Sequence, residues 1–297
     1  MMKRPIVLVV LGLILSLAGV SHSAADQNTV RLDLDRSGNP VLGSAAVVVV
    51  SQNSGEVLFA KGGERAMPIA SITKLMTAMV VLDARQSLSE VIAVTADDID
   101  RLKGTGSRLA PGARLTREEM LHLALMSSEN RAASALARNY PGGTRAFIEA
   151  MNVKARMIGL WDTRFADSTG LNPGNVSSAR DLVRLVSAAS AYPLIREFST
   201  ADERHVRLGK RLERFGNSNA LVRDPEWELG LSKTGYIREA GRCLVLQTWV
   251  NNQPVIIVLL NSQGQYTRTA DAKRVKRWLE ASAAQPVASV SGRSGGG

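Results

Sequence analysis

The chain has 297 residues, of which 45% are apolar and 22% charged, and its formal net charge is +10. This composition excludes a disordered chain, and the presence of at most one short apolar run excludes a multi-span membrane protein. The single cysteine, Cys243, excludes an intramolecular disulfide framework and a cysteine-cluster zinc site. The excess of Lys and Arg favours anionic partners, such as nucleic acid, a membrane surface or an acidic polymer.

The N-terminus has the pattern of a secretory signal peptide. Two basic residues precede an apolar run from Ile6 to Val20, and small residues then allow cleavage after Ser23 or Ala25. An uncleaved membrane anchor is the alternative interpretation. We expect residues 1–25 to be removed during export to the periplasm, which lowers the formal charge from +10 to +8. A nucleic-acid partner is therefore not expected, and an anionic cell-wall polymer or membrane surface is favoured.

Strand-like sequences lie at both ends of the chain, with helical sequences between them. Val41–Val50 and residues 56–60 are β-rich on either side of an Asn/Gly turn, which predicts a hairpin. Apolar periodicity and capping patterns predict helices after Pro68, from a capping box at Thr116 and Glu119, and at 132–138, 144–157 and 179–189. Further strands are predicted at 231–237, 242–250 and 255–260, and Thr269 is expected to cap a last helix through Ala281.

This order of elements predicts an α/β (α+β) fold. We expect a mainly antiparallel sheet built from both chain ends, flanked by helices and carrying an inserted helical subdomain. Residues 26–40 would form an N-terminal lead, residues 41–283 the main folded domain, and residues 284–297 a disordered tail.

The first chemical motif is Ser71-Ile72-Thr73-Lys74. Residues three apart in a helix share a face, so the Ser71 hydroxyl and the Lys74 amine are expected to be neighbours. A serine hydroxyl needs an adjacent base, and a lysine whose pKa is lowered by burial can be that base. The alternative is an ordinary helix start with an exposed lysine.

The second motif, Ser128-Glu129-Asn130, lies between two predicted helices. A hydroxyl and a carboxamide at this point can relay a proton and hold a substrate amide. The alternative is that Asn130 caps the following helix.

The third motif, Lys233-Thr234-Gly235, lies on a predicted strand. The lysine and threonine can bind a carboxylate by charge and hydroxyl, and the glycine allows a substrate backbone to approach the strand closely. The alternative is a turn at the end of a strand.

Together, in this order, the three motifs resemble those of the penicillin-recognising serine acyltransferases, and more narrowly of the low-molecular-mass penicillin-binding proteins, the D-alanyl-D-alanine peptidases. The similarity runs from about Ala45 to Leu279. It includes the segments Ser54–Ala60, Pro68–Ala78, Asp167–Leu171, Lys233–Tyr236 and Glu239–Val245, the last being most similar to endopeptidases of the penicillin-binding protein seven type. The resemblance implies a β-lactamase/transpeptidase-like fold, with no metal and no cofactor.

The resemblance also implies the role of each residue. Ser71 would attack the carbonyl of the penultimate D-alanine, and Lys74 would take its proton. Asn130 would hold the substrate amide, while Ser128 and Lys233 would pass a proton to the leaving amine. The other implied roles are an oxyanion hole from the N–H groups of Ser71 and Tyr236, close backbone approach at Gly235, and carboxylate binding by Thr234. Arg268 is a further candidate for carboxylate binding, and the alternative is that it is a solvent-exposed arginine.

Several functions remain open on these residues. The expected substrate is cross-linked peptidoglycan, cleaved by an endopeptidase that β-lactams inhibit covalently. A carboxypeptidase would use the same residues, and a non-catalytic wall-binding module is a further alternative. A β-lactamase is disfavoured because residues 167–175 lack the glutamate that activates the deacylating water. His122 and His205 are interpreted as structural or exposed, and the basic last helix as a solvated face rather than a membrane or wall dock.

Overall fold

The structure, a computed structural model, describes residues 32–284, and the signal peptide predicted at 1–25 lies outside them. The described residues form seven α-helices and eleven β-strands. The helices are α1 Lys74–Asp83, α2 Arg117–Met126, α3 Asn130–Arg138, α4 Gly143–Met157, α5 Ala179–Ala189, α6 Pro193–Thr200 and α7 Thr267–Ala284. The strands are β1 Ser44–Ser51, β2 Val57–Lys61, β3 Met67–Pro68, β4 Val91–Ala93, β5 Arg114–Thr116, β6 Val176–Ser177, β7 Glu203–Leu208, β8 Arg211–Gly216, β9 Leu229–Ile237, β10 Gly241–Val250 and β11 Gln253–Ser262.

The main sheet joins the two ends of the chain. Its five strands lie in the order β2-β1-β11-β10-β9, and every neighbouring pair is antiparallel. Strand β1 pairs with β11 in a register that places Val48 opposite Val258. The predicted antiparallel sheet from both chain ends is therefore confirmed, and β9 forms one of its edges.

Both faces of this sheet are buried. Val48 and Val50 face the core shared with α1 to α6, whereas Val47 and Val49 face the smaller cluster that includes Val275 of α7. Successive side chains of a strand point to opposite faces, so a strand covered on both sides must be apolar at every position. This explains the unbroken run of four valines in β1.

Helices α1 to α6 are inserted between β2 and β9, which confirms the predicted helical insertion, although α6 is not among the helices that the sequence predicts. The capping box of α2 is confirmed, because Thr116 Oγ1 accepts from Glu119 N at 3.1 Å and Glu119 Oε2 accepts from Thr116 N at 2.8 Å. In α1 every residue from Lys74 to Val81 is buried. A helix buried on all sides lies at the centre of the packing, which fixes the position of the residues at its start.

The sequence does not predict helix α6, the hairpin β7–β8 or the short strands β3 to β6. Helix α6 and the hairpin β7–β8 occupy a stretch rich in charged residues, and in the hairpin only Val206 and Phe215 are buried. One buried residue per strand gives too weak an alternation to indicate strands from sequence.

The last helix differs from its prediction. It begins at Thr267, so the prediction that Thr269 caps it is wrong. It ends at Ala284, which is the first residue of the predicted tail. The rest of that tail lies outside the described residues. Three cations of α7 form ion pairs: Lys273 with Asp224 at 2.8 Å, Arg274 with Asp271, and Lys276 with Glu280. These pairs favour the interpretation of α7 as a packed helix with a solvated face.

Between residues 32 and 284, no helix combines the length and apolar character needed to span a bilayer.

His122 is a buried titratable side chain outside the sequence motifs. Its ring stacks on Phe198 with centroids 4.3 Å apart, and neither ring nitrogen has a hydrogen-bond partner among the described residues. Burial, assisted by the charge of Arg204, lowers the pKa of His122 to about 4. The imidazole is therefore neutral in the folded protein at neutral pH.

We expect His122→Leu to reduce the loss of stability in acid. Below its ordinary pKa of about 6.5, the unfolded chain binds a proton at His122 that the folded chain does not bind until about pH 4, so the free energy of unfolding falls over that interval. Urea unfolding at about pH 7.5 and about pH 5 measures the effect. An equal drop between the two pH values in the variant and the wild type would contradict it.

Candidate active site

The first motif places a hydroxyl next to a buried amine. Ser71 lies in a 3-10 turn, Ala70–Thr73, that leads directly into α1 at Lys74. The Lys74 Nζ atom lies 2.8 Å from Ser71 Oγ, so the predicted pairing of the two side chains is confirmed. The interpretation of Lys74 as an exposed lysine is wrong, because its exposed fraction is 0%.

Three chain segments meet at Lys74 Nζ. In addition to Ser71, it lies 2.8 Å from Asn130 Oδ1 and 2.6 Å from the Thr169 carbonyl oxygen. Burial lowers the pKa of Lys74 to about 7, and the charges of Asp167 and Glu129 partly oppose this effect. A substantial fraction of the amine is therefore proton-free at neutral pH and able to act as a base.

The second motif forms the turn between α2 and α3. Ser128 adopts a φ of 62°, in the left-handed region that non-glycine residues occupy only at an energetic penalty. Glu129 caps α3 by accepting from Arg131 N at 3.2 Å, so the interpretation of Asn130 as the cap is wrong. The Asn130 side chain points instead to Lys74, and Ser128 Oγ has no hydrogen-bond partner among residues 32–284.

The third motif lies on β9, not in a turn. Lys233 is buried, and its Nζ lies 3.1 Å from the Thr234 carbonyl oxygen. Burial, together with the positive charges of Lys74 and Arg268, holds the pKa of Lys233 well below its ordinary value. The Thr234 hydroxyl lies 2.8 Å from Ser218 Oγ. The site thus contains two buried amines, those of Lys74 and Lys233, and a pair of hydroxyls, those of Thr234 on the edge strand and of Ser218 beside it.

Two glycines allow the backbone to close around the nucleophile turn. A Cβ at Gly235 would lie 2.9 Å from the Ile69 carbonyl oxygen and 3.1 Å from Ser71 N. Gly170, with a φ of 86°, lies so close to Ala70 that a Cβ would collide with that residue's carbonyl group. The sequence predicts that Gly235 lets a substrate backbone approach the strand. What the structure shows is a close approach of Gly235 to the protein's own turn, the one that carries Ser71.

Two arginines surround the end of the third motif. Arg268 lies in the first turn of α7 and donates to the carbonyls of Gly235 and Cys243 at 3.0 and 3.1 Å, so the interpretation of it as a solvent-exposed residue is wrong. The guanidinium of Arg242 stacks over the exposed ring of Tyr236 at 4.7 Å. Burial and the charge of Arg242 lower the pKa of Arg268. This concentration of positive charge attracts an anionic group.

Three site residues were missed at the sequence level: Thr105, which accepts from Asn130 Nδ2 at 3.0 Å, Thr169, which offers its carbonyl to Lys74, and Ser218. Thr105 and Ser218 come from loops whose local sequence gives no motif. Thr169 lies in the segment Asp167–Leu171, which carries part of the family resemblance, but the resemblance implied no role for it. Among the described residues, no group of three or more His, Cys, Asp or Glu side chains is arranged to hold a metal ion.

Comparison with known proteins gives consistent results. The sequence family described as D-alanyl-D-alanine carboxypeptidase matches residues 35–264. A D-alanyl-D-alanine endopeptidase of Pseudomonas aeruginosa is 45% identical over 282 residues, 94% of this chain and 89% of that protein. One of Escherichia coli is 45% identical over 84% of this chain and 81% of its own length. The crystal structure of the Streptomyces K15 DD-transpeptidase superposes with a TM-score of 0.76 at 26% identity, covering 82% of this chain and 99% of that one.

We expect Gly170→Ala to destabilise the protein by at least ~2 kcal/mol, because alanine is strained at this φ and its Cβ would displace the Ala70–Ser71 peptide. Chemical denaturation measures the change. Gly216→Ala is the matched control, since Gly216 has no atom within 4 Å of its ideal Cβ position. Equal stabilities of the two variants would contradict the argument.

Proposed function

This chain belongs to the D-alanyl-D-alanine carboxypeptidase family, and from that membership we propose that it is a serine D-alanyl-D-alanine endopeptidase that hydrolyses the D,D-cross-links of peptidoglycan. The observation that carries the proposal is the buried Lys74 amine, 2.8 Å from the Ser71 hydroxyl, with a pKa of about 7. Two relatives that share 45% identity with most of this chain bear the name endopeptidase, which favours cross-link cleavage over release of a terminal D-alanine.

Acylation begins with the proton-free form of Lys74. Its lone pair takes the Ser71 proton while Ser71 Oγ forms a bond to the carbonyl carbon of the penultimate D-alanine. The carbonyl oxygen becomes an oxyanion, which the backbone N–H groups of Ser71 and Tyr236 stabilise. The close approach of Gly235 to Ser71 N supports this assignment, because it brings β9, which carries Tyr236, next to the turn that carries Ser71.

Collapse of the tetrahedral intermediate breaks the peptide C–N bond. The proton that Lys74 took from Ser71 passes through Ser128 and Lys233 to the leaving amine, which leaves Lys74 proton-free again and Ser71 as an ester. Water then attacks this ester, its proton passing to Lys74, and the carboxylic acid product leaves as Ser71 regains its proton. The hydroxyl of Ser128 has no hydrogen-bond partner within the part of the chain that the structure describes, which supports its role as the relay.

Substrate binding uses the edge strand and its positive charge. A peptide in extended form can add to the free edge of β9, with main-chain hydrogen bonds providing affinity. Asn130 holds a substrate amide, and Thr234, Lys233 and Arg268 hold the carboxylate on the leaving side. The cationic surroundings of Arg268, which include Arg242, support the carboxylate assignment.

A β-lactamase is the less favoured alternative. The loop 167–175 contains no glutamate to activate a deacylating water. Asp167 accepts hydrogen bonds from the backbone of Gly170 and Asn172 within that loop, at 2.7 and 2.9 Å, and so is committed to holding its shape. Slow release of penicillin is therefore expected.

The cellular setting follows from the substrate. Peptidoglycan lies outside the cytoplasm, so we place the enzyme in the periplasm, exported by the signal peptide predicted at 1–25. The excess of Lys and Arg favours loose association with the anionic wall polymer. Neither a cofactor nor a metal enters the proposed reaction.

Incubation of the enzyme with cross-linked and uncross-linked muropeptides, resolved by mass, tests the proposal. We expect dimers to be cleaved to monomers, and the Ser71→Ala variant to show neither cleavage nor covalent labelling by a fluorescent penicillin. Loss of one D-alanine from monomers would identify a carboxypeptidase. Stable labelling without turnover of either muropeptide would identify a non-catalytic binding module.

We expect acylation by penicillin to rise with pH through about 7, because only the proton-free Lys74 accepts the Ser71 proton. Lys74→Arg, which stays positively charged, should lower the second-order rate constant by about 10²- to 10⁴-fold and remove this rise. Stopped-flow labelling between about pH 5 and about pH 9 measures the profile. A flat wild-type profile would exclude Lys74 as the base.

A further inference from the structure

Among the described residues, Asn130 is the only side chain that is hydrogen-bonded both to Lys74 and to the loop 100–105. A side-chain amide has almost the same shape in its two flipped orientations, so its partners decide whether oxygen or nitrogen faces a neighbour. Here Asn130 Oδ1 faces Lys74 Nζ at 2.8 Å, and Nδ2 faces Thr105 Oγ1 at 3.0 Å.

This orientation matters for the base. A neutral lysine amine has two N–H bonds and one lone pair. With Asn130 Oδ1 and the Thr169 carbonyl accepting the two N–H bonds, the lone pair is left for the Ser71 hydroxyl. If the amide were flipped, its NH₂ group would face Nζ and compete for that lone pair. A correctly oriented Asn130 is therefore a condition for an active base.

Thr105 is itself oriented by Asp100. The Asp100 Oδ2 atom accepts from Thr105 N and from Thr105 Oγ1, both at 2.8 Å. Partial burial raises the pKa of Asp100, but hydrogen bonds from residues 102–105 outweigh it and lower that pKa, so the group is a carboxylate. A carboxylate only accepts, so the Thr105 hydroxyl must donate its single proton to it. The Thr105 oxygen can then only accept from Asn130.

We propose that Asp100 and Thr105 are positioning residues of the catalytic site, which hold the Asn130 amide with its oxygen towards Lys74. This inference rests on the proposed function and adds to it a chain of fixed hydrogen-bond directions, from Asp100 through Thr105 and Asn130 to the base. Neither residue touches the reacting atoms.

A separate contact anchors the same loop. Lys103 Nζ lies 2.5 Å from Glu239 Oε1, in the turn between β9 and β10. This ion pair is a contact of the loop that takes no part in the orientation of Asn130, so it provides a matched control. Removing its charge with Glu239→Gln tests whether weakening a contact of the loop is enough to impair the site.

The test compares penicillin acylation of Thr105→Val, Thr105→Ser and Glu239→Gln with the wild type. We expect Thr105→Val, which keeps the shape and removes the hydroxyl, to slow acylation by about tenfold, and Thr105→Ser to restore the rate. The rise of the acylation rate with pH should also move to lower pH in Thr105→Val. A flipped Asn130 no longer accepts from the ammonium form of Lys74, so the pKa of Lys74 falls. Glu239→Gln should change the rate by less than about threefold.

The outcomes separate the alternatives. A wild-type rate in Thr105→Val, a slow Thr105→Ser, or a slow Thr105→Val with an unmoved rise with pH would overturn the inference, the last by indicating a purely structural loop. Should Thr105→Val unfold in thermal melts, Asp100→Asn replaces it. Its amide can donate to Thr105 and release that hydroxyl towards Asn130, so the same slowing and the same shift of the rise to lower pH are expected. Absence of labelling in the wild type would instead refute the proposed function.

Discussion

The burial of one amine organises the site. Lys74 is the proposed base, and its amine is partly proton-free near neutral pH because α1 is enclosed on all sides. The same burial requires that its N–H bonds find partners, which draws in α3 through Asn130 and the loop 167–175 through Thr169. The arrangement of three separate segments thus follows from the needs of a single buried nitrogen.

The arrangement of the site lowers the stability of the folded protein. Two buried lysines lie within electrostatic range of each other, and Ala70 and Ser128 both adopt left-handed backbone conformations, with φ of 48° and 62°. These unfavourable features persist only because their surroundings are rigid. The two-sided sheet and the helical insertion provide that rigidity, and the glycines at 170 and 235 allow the backbone segments to pack in contact with the nucleophile turn.

Local sequence patterns predicted the fold well and the site in part. The valine run of β1 and the capping box at Thr116 are local signals, and both correspond to observed elements. Ser71 and Lys74 were paired because they are one helical turn apart. Thr105 and Ser218 were missed because their contacts depend on loops brought together by tertiary packing, and no residue spacing encodes them. The hairpin β7–β8 was missed because it buries only one residue per strand.

The pairing of β1 with β11 has a consequence for the order of folding. Ser44 lies opposite Ser262, so β1 gains its second neighbour only when almost the whole described chain is available. Such sequence-distant contacts give a high contact order, which slows folding. Ser71 and Lys74 precede β9 by more than half of the chain, so a nascent polypeptide holds its nucleophile and base long before the strand that completes the cleft. Catalytic competence therefore arises late, as a property of the finished chain.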